Sequence, residues 1–312
     1  MKKFLKRRDV CPLCGSQQIS TLYSVDYQSP DIKGYLTAFY TQQGIIEHEY
    51  LEGANYILCE CDECGFLFQQ EIPGEELSER IYEHWISPQI ALEQELHKLD
   101  LKQFRYFTND LLKVVHSFQK PMREIAVLDF GMGWGTTLQI LKSMGCRVYG
   151  LEISESRIAY AAANGITVLS WDQMKAMQFD YIHTYQVFEH LENPRETFSE
   201  LLGCLRPGGY IRIAVPNGSN IRKIVKQLRW QTENLHSANH RAIDPLEHIN
   251  CFTYRTLKYL GETNGCKVVQ LPSPLLHTNL YQVLQGMLRT PYRFMKYGDL
   301  GRVPDILFQK PT

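Results

Sequence analysis

No stretch of the 312-residue chain stays apolar for the about 20 residues that a bilayer-spanning helix requires, so no membrane span is expected. A charge imbalance is also missing. The 33 Lys and Arg against 34 Asp and Glu leave a formal net charge of −1, whereas nucleic-acid binders usually carry a clear basic excess. This argues against a nucleic-acid substrate. The local basic runs, Lys2 to Arg8 and "IRKIVKQLRW", read as solvated faces of a tail and a helix. The basic start "MKKFLKRRDV" lacks the apolar segment of a signal peptide, "CPLCGSQQ" standing in its place, and a cytoplasmic protein is expected. The nine cysteines are an odd number in a chain without an export signal, which argues against a disulfide framework.

What the chain does contain is ordinary for a soluble globular protein: 44% hydrophobic and 21% charged residues. Its length exceeds one typical domain, so one large domain and a small one are expected. Five cysteines fall within the first 64 residues. Cys11-Pro-Leu-Cys14 and Cys61-Asp-Glu-Cys64-Gly form two C-x-x-C knuckles, each able to turn two thiolates to one side, and four thiolates suit tetrahedral zinc. Such a zinc is structural, because four sulfurs leave no position open for water or substrate. Cys59 is a spare that the alternation of "YILCEC" puts on the same strand face as Cys61; Cys61 is favoured because it completes the knuckle.

The stretch "VLDFGMGWGTTLQIL", residues 127–141, is an apolar strand that breaks into three alternate glycines and resumes as a helix. A dinucleotide turn reads G-x-G-x-x-G; counted from Gly131 and Gly133, its third glycine position holds Thr136, and the glycine comes one residue early at Gly135. With Asp129 two residues ahead, the pattern is D-x-G-x-G-x-G, a poor fit to a nicotinamide fingerprint. The next strand, "CRVYGLE", ends in Glu152, whose carboxylate can accept hydrogen bonds from two ribose hydroxyls.

These stretches, with "FDYIHTYQVFEHLENPRETFSELLGCLRPGGYIRIAVPN", resemble the class I S-adenosylmethionine-dependent methyltransferases in kind and in order. Both cysteine knuckles are similar to the zinc-ribbon segments that precede such domains in bacterial enzymes acting on sugars and secondary metabolites. The resemblance implies a Rossmann-like, doubly wound α/β sheet that binds S-adenosylmethionine. It points to Asp129, Gly131, Met132, Gly133, Glu152, Ile153, Trp171, Asp172, Tyr185 and Gln186 as cofactor residues, with Trp171 stacking on the adenine and Asp172 meeting its amino group. The chain lacks room for the extra C-terminal domain of the longer sugar C-methyltransferases, which argues against C-methylation.

Along the chain, residues 1–72 read as the zinc-ribbon module and 73–120 as a helical connector that covers the cofactor. Residues 121–312 read as the methyltransferase domain, with strand and helix alternating as a parallel sheet requires. The alternation stops in 217–250, read as a lid that closes over the acceptor, with Leu228, Trp230 and Leu235 shielding the methyl group. The methyl of a sulfonium is already activated, so a base is needed only if the nucleophile arrives protonated. His190, in "FEHLENP", and His248, in "DPLEHINCFT", are the candidates, since imidazole titrates near neutral pH. His236 and His240 are weaker, and His48, His84, His97, His116, His183 and His277 read as surface or packing residues. Glu189 and His190 alone do not make a convincing chelate, and no catalytic metal is expected.

The leading expectation is methyl transfer to an oxygen or nitrogen of a small-molecule acceptor. The alternatives are an RNA methyltransferase that grips its substrate with the ribbon, a sugar C-methyltransferase, and a regulator that only binds the cofactor. The acids Asp62, Glu63, Glu71, Glu75 and Glu76 near the knuckles argue against the RNA reading.

Overall fold

The run Ala126-Val-Leu-Asp-Phe130 is buried at every position, and the following "GMGWG" cannot extend it, because three glycines there adopt positive φ. A strand covered on both faces and closed by a glycine turn is the start of a parallel α/β sheet. The structure, a computed structural model, describes residues 4–98, 100–230, 240–272 and 304–312. Its strands are β1 (Leu5–Arg7), β2 (Ile19–Asp26), β3 (Asn55–Cys61), β4 (Leu67–Gln69), β5 (Glu71–Pro73), β6 (Ala126–Phe130), β7 (Arg147–Leu151), β8 (Thr167–Val168), β9 (Phe179–Tyr185), β10 (Leu205–Ala214), β11 (Asn250–Cys251), β12 (Lys267–Val269) and β13 (Asp305–Gln309).

Two compact units divide this chain. The sheet unit comprises His97–Val187, Thr197–Ala214 and Leu257–Thr312; the ribbon unit comprises Met1–Leu96, Phe188–Glu196 and Val215–Thr256.

The sheet unit is built on seven strands in the order β12-β13-β10-β9-β6-β7-β8. From β10 to β8 all pairs are parallel, while β13 enters antiparallel between β10 and β12. The strand order reverses between β6 and β9, and ligands of open α/β sheets sit outside the carboxyl ends at that point. This is the doubly wound fold expected. Leu111, Val114 and Val115 of the helix Leu101–Ser117 join Val127, Leu138, Leu141, Val148 and Tyr181 in its core.

The ribbon unit holds the antiparallel sheet β11-β4-β3-β2 and the pair β1-β5. Its core is aromatic: Tyr27, Tyr35, Tyr40, Tyr56, Trp85 and Trp230 are all buried. Leu228 and Trp230 therefore stand in a hydrophobic core, Trp230 lying 5.1 Å from Tyr35 and 5.2 Å from Tyr56 between ring centroids. The described part of 217–250 belongs with the cysteine knuckles in this unit, as do residues 73–96 of the expected connector. Leu235 and His236 lie outside the described residues. Among the described residues no helix is long and apolar enough to cross a membrane.

Candidate active site

In the sheet unit the glycine turn leaves β6 with Gly131 at φ 71°, Gly133 at 55° and Gly135 at 77°. A β-carbon on Gly131 would lie 2.5 Å from Cγ2 of Val187, so any side chain there collides with the loop after β9 as well as straining the backbone. Gly135 opens the helix Thr136–Ser143. The Met132 side chain is buried in the core. Glu152, at the end of β7, is held over this turn: Oε2 accepts from the Gly133 N–H at 2.9 Å, and Oε1 accepts from those of Ile153 and Ser154 at 2.8 and 3.1 Å. Ile153 itself is exposed.

Asp129 is buried, and its Oδ1 lies 3.0 Å from Nδ1 of His183. His183, expected to be a surface or packing residue, is instead the buried partner of this carboxylate. The missed signal is strand register, since β6 and β9 run side by side with Asp129 opposite His183. Trp171 and Asp172 open a short helix capped by Ser170, and Trp171 packs edge-on against Phe130 at 5.7 Å. At the end of β9, Tyr185 is half exposed and packs against Phe107. Gln186 takes a left-handed φ of 58°, costly for a side-chain-bearing residue, and its N–H donates to the Ala214 carbonyl. The structure thus gathers the sequence-derived cofactor residues at the carboxyl ends of β6, β7 and β9 and beyond β8.

In the ribbon unit Cys11, Cys14, Cys61 and Cys64 bring their sulfurs within 4.8 Å of one another. The pairs Cys11–Cys64 and Cys14–Cys61 stand at 3.7 and 3.5 Å. A tetrahedron with metal–sulfur bonds of about 2.3 Å has edges of roughly 3.8 Å, so the set fits zinc closely. Gly15 and Gly65 turn each knuckle with positive φ, their N–H groups donating to the carbonyls of Cys11 and Cys61. The Cys64 hydrogen bond, against the opposing effect of burial and helped by the N–H groups of Cys14 and Leu13, draws the Cys11 thiol down. Cys59 is outside the cluster, beside Thr21 at 3.9 Å, and burial pushes its thiol up.

A second cluster in the same unit brings together Glu189, His190 and His248. The imidazole centroids of the two histidines are 4.8 Å apart, edge to face. Nδ1 of His248 meets the Arg241 carbonyl, which can only accept, so Nδ1 carries the proton and Nε2 is left as a base. Nδ1 of His190 stands 3.1 Å from the Tyr82 hydroxyl, and its Nε2 lies 3.9 Å from Glu189. Burial holds His248 down to about 4 and raises Glu189 to about 8. Among the described residues, neither Glu189 oxygen has a hydrogen-bond partner beyond its own residue. His190 is the more open histidine; it borders a cavity of about 80 Å³ with Ser78, Tyr82, Glu192, Leu246 and Glu247. His240 is buried against Trp230.

Residues 101–271, more than half of the chain, match the family described as a methyltransferase domain. The chain belongs to this family, and its fold is that of the class I S-adenosylmethionine-dependent methyltransferases. It is similar to the ubiquinone biosynthesis O-methyltransferase of Pelagibacter ubique (strain HTCC1062), 26% identical over 149 residues, which are 44% of this chain and 62% of that protein. It is also similar to phosphoethanolamine N-methyltransferase 2 of Caenorhabditis elegans, 25% identical over 116 residues, 33% of this chain and 26% of the relative. The matched segments thus span less than two thirds of either relative. Among solved structures, the plantazolicin methyltransferase BpumL in complex with a pentazolic desmethylPZN analog and SAH aligns with a TM-score of 0.47 at 17% identity, covering 76% of this chain and 95% of that one.

Proposed function

We propose that this chain transfers a methyl group from S-adenosylmethionine to an oxygen or nitrogen of a small-molecule acceptor, a sugar or secondary metabolite. When bound, the cofactor supplies a methyl on a sulfonium, which needs alignment and dryness more than activation. Glu152 would take the ribose hydroxyls, Asp129 and the backbone of Gly131 to Gly133 the amino-acid end, and Trp171 with Asp172 the adenine. Tyr185 and Gln186 would close the same crevice. The four-cysteine cluster would hold one structural zinc.

The observation that carries the acid–base part of this reading is the histidine pair. Burial keeps His248 uncharged near neutral pH, and the Arg241 carbonyl holds its one proton on Nδ1. His190, the accessible member, would take the acceptor's proton through Nε2 while the Tyr82 hydroxyl holds its other nitrogen. Two observations support a small acceptor over RNA: Asp62 and Glu63 stand exposed at the tip of the second knuckle, and the cavity beside His190 is lined by Glu192 and Glu247. Phosphate backbones are repelled by such surfaces.

The test is methyl transfer from labelled S-adenosylmethionine to pooled hydroxylated and amino metabolites. Label should appear in an O- or N-methyl product and fall sharply in His190→Gln. Tight S-adenosylhomocysteine binding with no turnover on any pool would favour a regulator that only binds the cofactor.

A further inference from the structure

Asn250 lies 60 positions from His190 in sequence, yet its side chain holds the turn on which His190 stands. It is 1% exposed, and its Nδ2 donates to the carbonyls of Phe188 at 3.0 Å and Leu191 at 2.6 Å, the two residues that flank Glu189 and His190. Its Oδ1 accepts from Nη1 of Arg8 at 2.8 Å. The orientation of the amide follows from its partners alone: a guanidinium only donates and a carbonyl only accepts, so the oxygen must face Arg8 and the nitrogen the turn. No other side chain of this size offers one acceptor and two donors in that geometry.

Arg8 is fixed in its turn. Its Nε and Nη2 donate to the Gln69 carbonyl at 3.0 and 2.7 Å, and Nη2 donates to that of Ile249 at 2.6 Å. Arg8 stands three residues before Cys11, and its own N–H donates to the Gln70 carbonyl. The Gln69 side chain clamps the neighbouring turn, donating to the carbonyls of Asp244 and His248 at 3.0 Å each. Buried polar networks with every partner present fix one arrangement, and a misplaced reacting group costs rate steeply.

We infer that Asn250, oriented by Arg8, is a positioning residue that sets His190 for proton transfer, which links the cysteine knuckles to the histidine pair. This rests on the reading of His190 as the base. In Asn250→Asp the shape and the Arg8 contact persist while two donors become an anion facing two carbonyls. The full chain carrying Asn250→Asp should keep its zinc and bind S-adenosylhomocysteine within about twofold of wild type. Its kcat should drop by about a hundredfold with KM for the acceptor nearly unchanged. Added to His190→Gln, the substitution should cause no further loss, because a residue acting through His190 has nothing left to position. Should Asn250→Asp fold poorly, Asn250→Ala carries the same cycle without the buried charge. Independent, multiplying losses in the double variant, or full kcat in both Asn250 variants, would overturn the inference. Full kcat in His190→Gln would instead overturn the base reading, and the positioning role with it.

Discussion

The glycine turn of the sheet unit joins near neighbours in sequence, whereas the clamp that holds His190 in the ribbon unit joins segments far apart. Asp129 to Gly135 span seven residues, and Glu152 reaches back to Gly133 across 19 positions. In the ribbon unit Asn250 joins Phe188 across 62 positions and Arg8 across 242. A glycine turn advertises itself because the backbone must take positive φ at fixed offsets. A hydrogen-bonded clamp leaves no such mark, since any polar residue looks alike until the fold brings its partner.

The comparison is sharpened most by removing zinc. Cys61→Ser, or chelation, should release about one metal per chain and unfold the ribbon unit, because binding and folding energy are one quantity in a structural zinc site. Elemental analysis and loss of near-ultraviolet signal from its buried aromatics check this. Cys59→Ser should keep the metal; a variant at Cys59 that loses zinc while Cys61→Ser retains it would reverse the ligand assignment.

Next in size is the base. His190→Gln should lower turnover by roughly two to four orders of magnitude. His248→Gln, which alters the partner rather than the accessible imidazole, should cost less. Initial rates on the true acceptor decide it, and the loss in His190→Gln should shrink at high pH for an acceptor that ionises by itself.

Gly131→Val should weaken S-adenosylhomocysteine binding by about a hundredfold or more, as its side chain meets Val187 where backbone and ligand must approach. Calorimetry reads this directly, and binding at wild-type strength would remove the glycine turn from the cofactor site.

The smallest expected effect is a pH dependence of stability. Glu189 is raised in the fold from 4.5 to about 8, so the folded state holds its proton longer and stability falls as pH rises through that window. His248 is lowered from 6.5 to about 4, so it works in the opposite sense, adding stability as pH rises from 4 to 6.5. Asp244, raised to about 7 by burial, acts with Glu189 up to that pH. Above pH 6.5 Glu189 dominates, and the melting temperature should decline toward pH 8 by a few degrees, the equivalent of about 2 kcal/mol. Glu189→Gln should flatten that slope; an unchanged slope would show that the carboxyl is ionised in the fold.

These contrasts explain how much could be read before the structure. The parallel sheet, the glycine turn, Glu152 and the two knuckles were legible because each rests on local spacing. The pairing of Asp129 with His183 was not, since it depends on two strands 54 positions apart lying in register. Trp230 and Leu228 looked like a lid because an apolar segment after the fifth sheet strand has no evident partner in sequence. In the fold that partner is the aromatic core around Tyr35 and Tyr56. His190 and His248 stand out in the sequence as candidates and do meet in the fold, whereas the buried Glu189 joins them as a third member only because the turn bearing His248 is brought in from far away.

The central proposal is that the sheet unit holds the cofactor by its own residues, Glu152 among them, with His190 of the ribbon unit taking no part in that binding. Calorimetric titration of S-adenosylhomocysteine into wild type, Glu152→Ala and His190→Gln tests it most directly. One ligand per chain should bind, with an affinity unchanged in His190→Gln and at least tenfold weaker in Glu152→Ala. Tight binding of NADH with none of S-adenosylhomocysteine, or cofactor binding lost in His190→Gln and kept in Glu152→Ala, would contradict it.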